Sequence, residues 1–185
     1  LKKGASLAVT SSSVNQSPKK IMRVKDTFVF LNRFAKLKRD NCVAKIIAIT
    51  GSAGKTSLKD IVCKILNRFN NTHASPKSFN NHYGVPISLS NLQFDHQYGV
   101  FEAGMSKAGE INKLSKLIRP NLAIITNIAE AHIENFKNIQ GIAKAKAEII
   151  DNIEPAGTLI LNQDDRFFNY LSEKAKLKKI KVISY

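Results

Sequence analysis

Ile46-Ile-Ala-Ile-Thr50-Gly51-Ser52-Ala53-Gly54-Lys55-Thr56-Ser57 is the stretch whose reading decides the fold. Its first five residues form a continuous apolar, β-branched run, the pattern of a strand buried on both faces. Gly51 and Gly54 then allow a sharp turn, and a helix is expected to follow with Leu58, Ile61, Val62, Ile65, Leu66 and Phe69 on one face. A strand, a glycine turn and a helix start place backbone N–H groups and the positive end of a helix dipole together, which suits a phosphate. Gly51, Ser52, Ala53, Gly54, Lys55, Thr56 and Ser57 are therefore expected to cradle a nucleotide. Lys55 would reach its β- and γ-phosphates, and the Thr56 hydroxyl would ligate Mg²⁺. The glycines stand three apart rather than five, with Ile49 filling the earlier slot.

Working outward, the same alternation continues. Strands are expected at 72–75, 98–101, 122–126, 158–161 and 180–184. Helices are expected after Pro86 and over 109–118, 138–153 and 166–174. Short apolar strands separated by amphipathic helices predict an α/β fold, a mostly parallel sheet flanked by helices. Ligands in such sheets sit beyond the carboxyl ends of the strands. That rule singles out the glycine loop, Glu102 and the loop 127–135, which should converge. Upstream, Gly4–Val9 is a short apolar run, a polar stretch leads to Pro18, and Thr27–Arg39 has helical spacing.

Composition excludes several classes. No apolar run approaches the roughly 20 residues of a membrane span, and the segment after Lys2 and Lys3 is too short and polar for a signal peptide. Two cysteines, Cys42 and Cys63, without CxxC spacing indicate neither a disulfide framework nor a zinc site, which points to a reducing cytoplasm. The net charge of +15 is spread through helices, as at Lys59, Lys64, Arg68, Lys113 and Lys116, and is dense only at 174–181. It reads either as solvated helix faces or as attraction for anions. A basic nucleic-acid-binding module ranks last, because no reading motif and no Trp is present. A chain of 185 residues that begins with Leu1 reads as a piece of something longer.

Thr50–Thr56 resembles the shortened T-G-[ST]-x-G-K-[ST] loop of the Mur ligases. Phe79-Asn80-Asn81-His82-Tyr83-Gly84-Val85-Pro86, Phe101-Glu-Ala-Gly-Met105 with Gly109-Glu110-Ile111, Asn127-Ile-Ala-Glu-Ala-His132, Gly141–Glu148 and Leu161–Asp165 follow in that family's order. Ala53 departs from the Asn that the family often has. The resemblance implies an ATP- and Mg²⁺-dependent ligase of peptidoglycan precursor synthesis, with two Mg²⁺ ions, working through an acyl phosphate. The FNNHYGVP segment favours the member that adds D-Ala-D-Ala to UDP-MurNAc-tripeptide. Alternatives are another Mur or folylpolyglutamate synthetase-type ligase, or a P-loop phosphotransferase or NTPase.

By the same resemblance, residues 1–25 are the end of an N-terminal UDP-binding domain, 26–44 a linker helix and 45–185 the central ATP-binding domain. A C-terminal domain is expected to be missing, so the fragment alone is expected to be inactive. Lys55, His132 and Lys146 are the implied catalytic residues. Thr56, Glu102, His132 and Lys146 are the implied metal site, and Asn80 and Asn81 contact the UDP-sugar-peptide. Asn162 and Asp165 either approach the nucleotide or form a plain turn. His82 reads as structural or as a substrate contact, and the protein is expected to be a monomer.

Lys146 stands apart on residue pattern alone. Ile139, Ile142, Ile149, Ile150 and Ile153 form the apolar stripe of the predicted helix, and Lys146 falls at its centre, with Lys144, Glu148 and Asp151 opposite. An inward lysine must find an anion, snorkel or lose its charge. In the Mur ligases the matching lysine is carbamylated; the alternative is a snorkelling or salt-bridged lysine.

Overall fold

The computed structural model describes residues 4–13 and 20–185; Lys2, Lys3 and the Pro18 end of the polar stretch lie outside them. Two short strands, β1 (Ala8–Thr10) and β2 (Ile21–Arg23), pair in parallel with each other. Helix α1 (Thr27–Asp40) opens on Asp26, whose Oδ1 accepts the N–H groups of Phe28 at 2.7 Å and Val29 at 3.0 Å. Strands and helices then alternate: β3 (Lys45–Thr50), α2 (Lys55–Leu66), β4 (Thr72–Ala74), α3 (Gly84–Ser90), β5 (Tyr98–Glu102) and α4 (Glu110–Ile118). They are followed by β6 (Leu122–Ile125), α5 (Ile139–Lys146), β7 (Thr158–Leu161), α6 (Phe168–Leu177) and β8 (Lys181–Ser184). All six strands pair in parallel, in the order β4-β5-β3-β6-β7-β8.

The period-2 alternation of buried strands divides the core between the two faces. Ile47 and Ile49 of β3, with Val100 and Ile124, face α2 through Leu58, Val62 and Leu66. Ile46 and Ala48, with Phe101, Ala123 and Leu159, share the larger core with α1, α3, α4, α5 and α6. Ala35 of α1 is fully buried in that core. Arg39 fastens α1 further: its guanidinium donates to the carbonyls of Ile118 at 2.7 Å and Arg119 at 2.6 Å, where α4 ends. Those carbonyls have no partner within their own helix.

Three sequence expectations are corrected. Ile61, Ile65 and Phe69 were grouped with Leu58, Val62 and Leu66 on one helix face, but they are exposed by 55%, 52% and 73%. A flat sheet takes one stripe of a helix, and residues adjacent in sequence point about 100° apart. The predicted helix 138–153 is α-helical only to Lys146 and tightens to a 3₁₀ segment over Ala147–Asn152. The carbonyl of Ala147 accepts from Lys174 Nζ at 2.8 Å. The tighter winding also turns Glu148 away from the fully solvated side. Its carboxylate accepts from Gly109 N at 2.7 Å and Asn112 N at 2.9 Å, satisfying the start of α4.

Candidate functional site

The strand order brings the expected loops together. β3 lies between β5 and β6, and after β5 the chain crosses to the opposite side of β3. The crevice at such a switch lies beyond the carboxyl ends of these strands. Thr50, Glu102 and Ile125 therefore end side by side.

The glycine loop is held from β6. Gly51 has φ +149°, and a Cβ there would fall 1.8 Å from Thr126 Oγ1, so only glycine lets the two segments approach. Thr126 Oγ1 donates to Ala53 O at 2.6 Å. Asn127 Oδ1 accepts Ser52 N at 3.1 Å and Ala53 N at 2.9 Å, and Ser52 Oγ donates to Ala129 O at 2.9 Å. The first half of the loop is thereby fixed. Gly54 turns left-handed at φ 80°, and no side chain caps α2, so its first-turn N–H groups have no side-chain acceptor. Lys55 Nζ donates to Gly51 O at 2.8 Å. Burial lowers the Lys55 pKa, and Glu102 pulls it back up.

Glu102 is fully buried at the end of β5. Its Oε2 accepts from Thr56 Oγ1 at 3.2 Å and Asn80 Nδ2 at 3.3 Å. Its Oε1 accepts no hydrogen bond, although Lys59 Nζ stands 3.4 Å away. Gly104 makes room for Asn80: a Cβ at Gly104 would lie 2.8 Å from Asn80 Oδ1. Asn81 turns the other way, its Oδ1 accepting from Gly84 N at 2.8 Å as α3 begins.

Lys55, Asn80, Asn81, His82, His132 and Lys146 line one cavity of about 810 Å³. Phe28 of α1, Pro86, Met105, Leu114 and Leu117 add apolar surface to the same lining. Lys146 is only 4% exposed, so the inward position read from its helical stripe is observed. Its pKa is pushed down to about 7, first by burial and then by repulsion from Lys55, and no carboxylate offsets either. His132 is a half-exposed loop residue in the left-handed region at φ 58°. A non-glycine residue held there is sterically costly. Asn162 and Asp165 are not among the residues that line the cavity. Asn162 Oδ1 accepts from Asp164 N at 3.0 Å, and Asp165 braces the neighbouring loop, accepting Ile128 N at 2.7 Å and Phe167 N at 2.9 Å.

The donor set fits a hydrated divalent cation bound with a nucleotide. Mg²⁺ takes few protein oxygens and keeps waters and phosphate oxygens as its other ligands. A hydroxyl and a buried carboxylate oxygen stand together, Thr56 Oγ1 3.2 Å from Glu102 Oε2. Among the described residues no group of three or more His, Cys, Asp or Glu stands ready to cage an ion, as a dedicated protein site would require.

Two contributors were not recognised from sequence. Asn127 lies within a quoted motif, but only the pairing of β3 with β6 shows what its amide does. Lys59 was counted among solvated helix lysines, yet it is 2% exposed. Its signal was present: it follows Lys55 by four residues, on the same helix face.

Fold and site define a glycine-loop α/β domain with an anion-seeking helix start beside a carboxylate and two buried lysines. A family profile described as the Mur ligase middle domain matches residues 49–185, and the chain belongs to the Mur ligase family. It is 38% identical over 184 residues to a UDP-N-acetylmuramoyl-tripeptide–D-alanyl-D-alanine ligase of Buchnera aphidicola, covering 100% of this chain and 40% of that protein. It superposes on a crystal structure of MurF from Acinetobacter baumannii with a TM-score of 0.87 at 35% identity, over 99% of this chain and 40% of that one. MurF ligase from Thermotoga maritima in complex with ADP gives 0.82 at 26% identity, over 99% and 42%. The chain thus spans about two fifths of the length of the relatives it matches. Among the described residues no helix is long and apolar enough to cross a membrane.

Proposed function

We propose that this chain is the central, ATP-handling part of a cytoplasmic, monomeric ligase. It would join D-Ala-D-Ala to UDP-MurNAc-tripeptide during peptidoglycan precursor synthesis, with no nucleic-acid partner. The observation that carries the reading is the convergence of the glycine loop, Lys55 and buried Lys146 on one cavity of about 810 Å³, with buried Glu102 tied to it through Thr56 at the uncapped α2 start and through Asn80. The names of the Buchnera relative and of the Acinetobacter and Thermotoga structures support the same reaction. Residues 1–25 then belong to a UDP-binding domain and residues 26–44 form the connection. In this connection α1 contributes Phe28 to the cavity wall.

The chemistry follows from the charges. The α2 N–H groups and Lys55 bind the triphosphate, with Lys55 exchanging the Gly51 carbonyl for phosphate oxygens. A substrate carboxylate oxygen attacks the γ-phosphorus, ADP leaves, and an acyl phosphate forms. The D-Ala-D-Ala amine then attacks the acyl carbon, the C–O bond to phosphate breaks, and the amine proton leaves with the inorganic phosphate, so that an amide remains. Mg²⁺, two ions in this reading, would be held by Thr56 and Glu102 and by His132 with Lys146, and would neutralise charge gathering on the oxygens. Asn80 and Asn81 orient the UDP-sugar-peptide.

Lys146 would serve as its carbamate. A near-neutral pKa leaves much of its amine unprotonated at pH 7, and the neutral amine is the form that attacks CO₂. The product, formed with release of a proton, is an anion beside Lys55, and it removes the repulsion between a buried cation and a half-buried one.

The test is ADP release by the complete polypeptide supplied with ATP, Mg²⁺ and UDP-MurNAc-tripeptide. Release should depend on D-Ala-D-Ala. ADP formation indifferent to any amine would favour a phosphotransferase or NTPase instead.

A further inference from the structure

Lys59 is the most deeply buried cation described in the chain, and the proposed reaction does not use it. Its Nζ donates to Ser75 O at 2.8 Å and to Lys77 O at 2.6 Å, and stands 3.3 Å from Asp60 Oδ1 and 3.4 Å from Glu102 Oε1. Three segments meet at this one atom: α2 one turn after Lys55 and Thr56, the chain leaving β4, and the end of β5. Ser75 adds a second tie, its Oγ accepting Glu102 N at 3.4 Å. Lys77 sits in the left-handed region at φ 49°, a costly conformation for a lysine, in the turn that offers its carbonyl to the ammonium.

Burying an ammonium is strongly unfavourable unless an opposite charge is buried with it. Asp60 is 58% exposed, so water screens it; Glu102 is 0% exposed and is the effective counter-charge. The other oxygen of Glu102 already faces Thr56 and Asn80. Lys59 therefore approaches the carboxylate from behind, on the oxygen that has no hydrogen bond. It also anchors the carbonyls at 75 and 77, close before Asn80 in the chain.

We propose that Lys59 is a positioning residue for divalent-cation-dependent nucleotide binding. It fixes the rotamer of Glu102 and the path of residues 75–80, so that Glu102, Thr56 and Asn80 present a preformed edge to the metal–nucleotide complex. This rests on the nucleotide reading above. Residues behind a metal ligand commonly change metal affinity about 10- to 100-fold when removed.

The experiment titrates fluorescent mant-ATP into the complete polypeptide, with Mg²⁺ and with EDTA, comparing wild type, Lys59→Met, Glu102→Gln and the double variant. Lys59→Met should lose about 10- to 100-fold of affinity in Mg²⁺ and less than about twofold in EDTA. Equal loss in both conditions, or no loss, overturns the proposal. In the Glu102→Gln background Lys59→Met should cost no further Mg²⁺-dependent affinity, and the double variant should melt above Lys59→Met, because neither charge is then buried alone. Additive losses overturn it. Should Lys59→Met not fold, a folded double variant supports the pairing and an unfolded one refutes it. Absence of Mg²⁺-dependent binding by wild type would overturn the nucleotide reading together with this one.

Discussion

Gly51 and Thr126 approach so closely that a methyl group on the first would overlap the hydroxyl of the second, at 1.8 Å. Seventy-five residues separate them in sequence, and the pairing of β3 with β6 brings them together. Gly51→Ala is therefore expected to displace Thr126 and to strain a backbone at φ +149°. Displacement and strain should together cost about 2–4 kcal/mol. Chemical denaturation measures the loss. A variant as stable as wild type would mean that the loop relaxes without cost.

Asn127 fastens the loop with one oxygen on two N–H groups, those of Ser52 and Ala53. Removing it in Asn127→Ala leaves both donors without that acceptor, and the loop loses its preformed shape. Nucleotide affinity should fall about tenfold, the equivalent of roughly 1.4 kcal/mol, with a smaller change in melting temperature. Calorimetric titration with MgADP checks this, and unchanged affinity would sink it.

Lys146 should stabilise the fold more as pH rises. Its pKa is near 7 in the folded chain against 10.5 ordinarily, so the unfolded chain binds more protons between those values. Stability then increases with pH across that window, and the full penalty of the buried charge applies below it. Lys146→Met should melt higher than wild type at pH 7 in CO₂-free buffer, and the gap should close by about pH 10. With ¹³C-bicarbonate, wild type should show a carbamate carbon signal by NMR that the variant lacks.

His73 gives a slope of the same sign at lower pH. Burial, then repulsion from His96, lowers its pKa from 6.5 to about 4, and its Nε2 lies 3.1 Å from Ser88 Oγ. The unfolded chain takes up its proton first as pH falls, so stability is lost between about 6.5 and 4, by up to about 3 kcal/mol at roughly 1.4 kcal/mol per pH unit. His73→Gln should flatten that limb of the melting-temperature profile. Parallel wild-type and variant profiles would refute the assignment.

Much of this architecture was legible beforehand. The run at 46–57 announces strand, turn and helix because local sterics and burial act within a dozen residues. The inward position of Lys146 was legible too, since helical periodicity places it among isoleucines whatever packs against them. Boundaries were less legible. The switch to 3₁₀ winding after Lys146 depends on partners distant in sequence: Lys174 on the Ala147 carbonyl, and the start of α4 beneath Glu148.

By itself the chain's order of residues determined a parallel α/β sheet, a phosphate-seeking turn and an inward lysine, because periodicity, glycine placement and charge are properties of short segments. Tertiary structure alone decided that Asn127 shapes that turn, that Lys59 is buried against Glu102, and that Asn162 and Asp165, themselves outside the cavity lining, hold a local turn and brace the loop at Ile128. Those outcomes depend on which strand lies next to which. Strand neighbours are chosen by the packing of the whole sheet, and no local pattern encodes them.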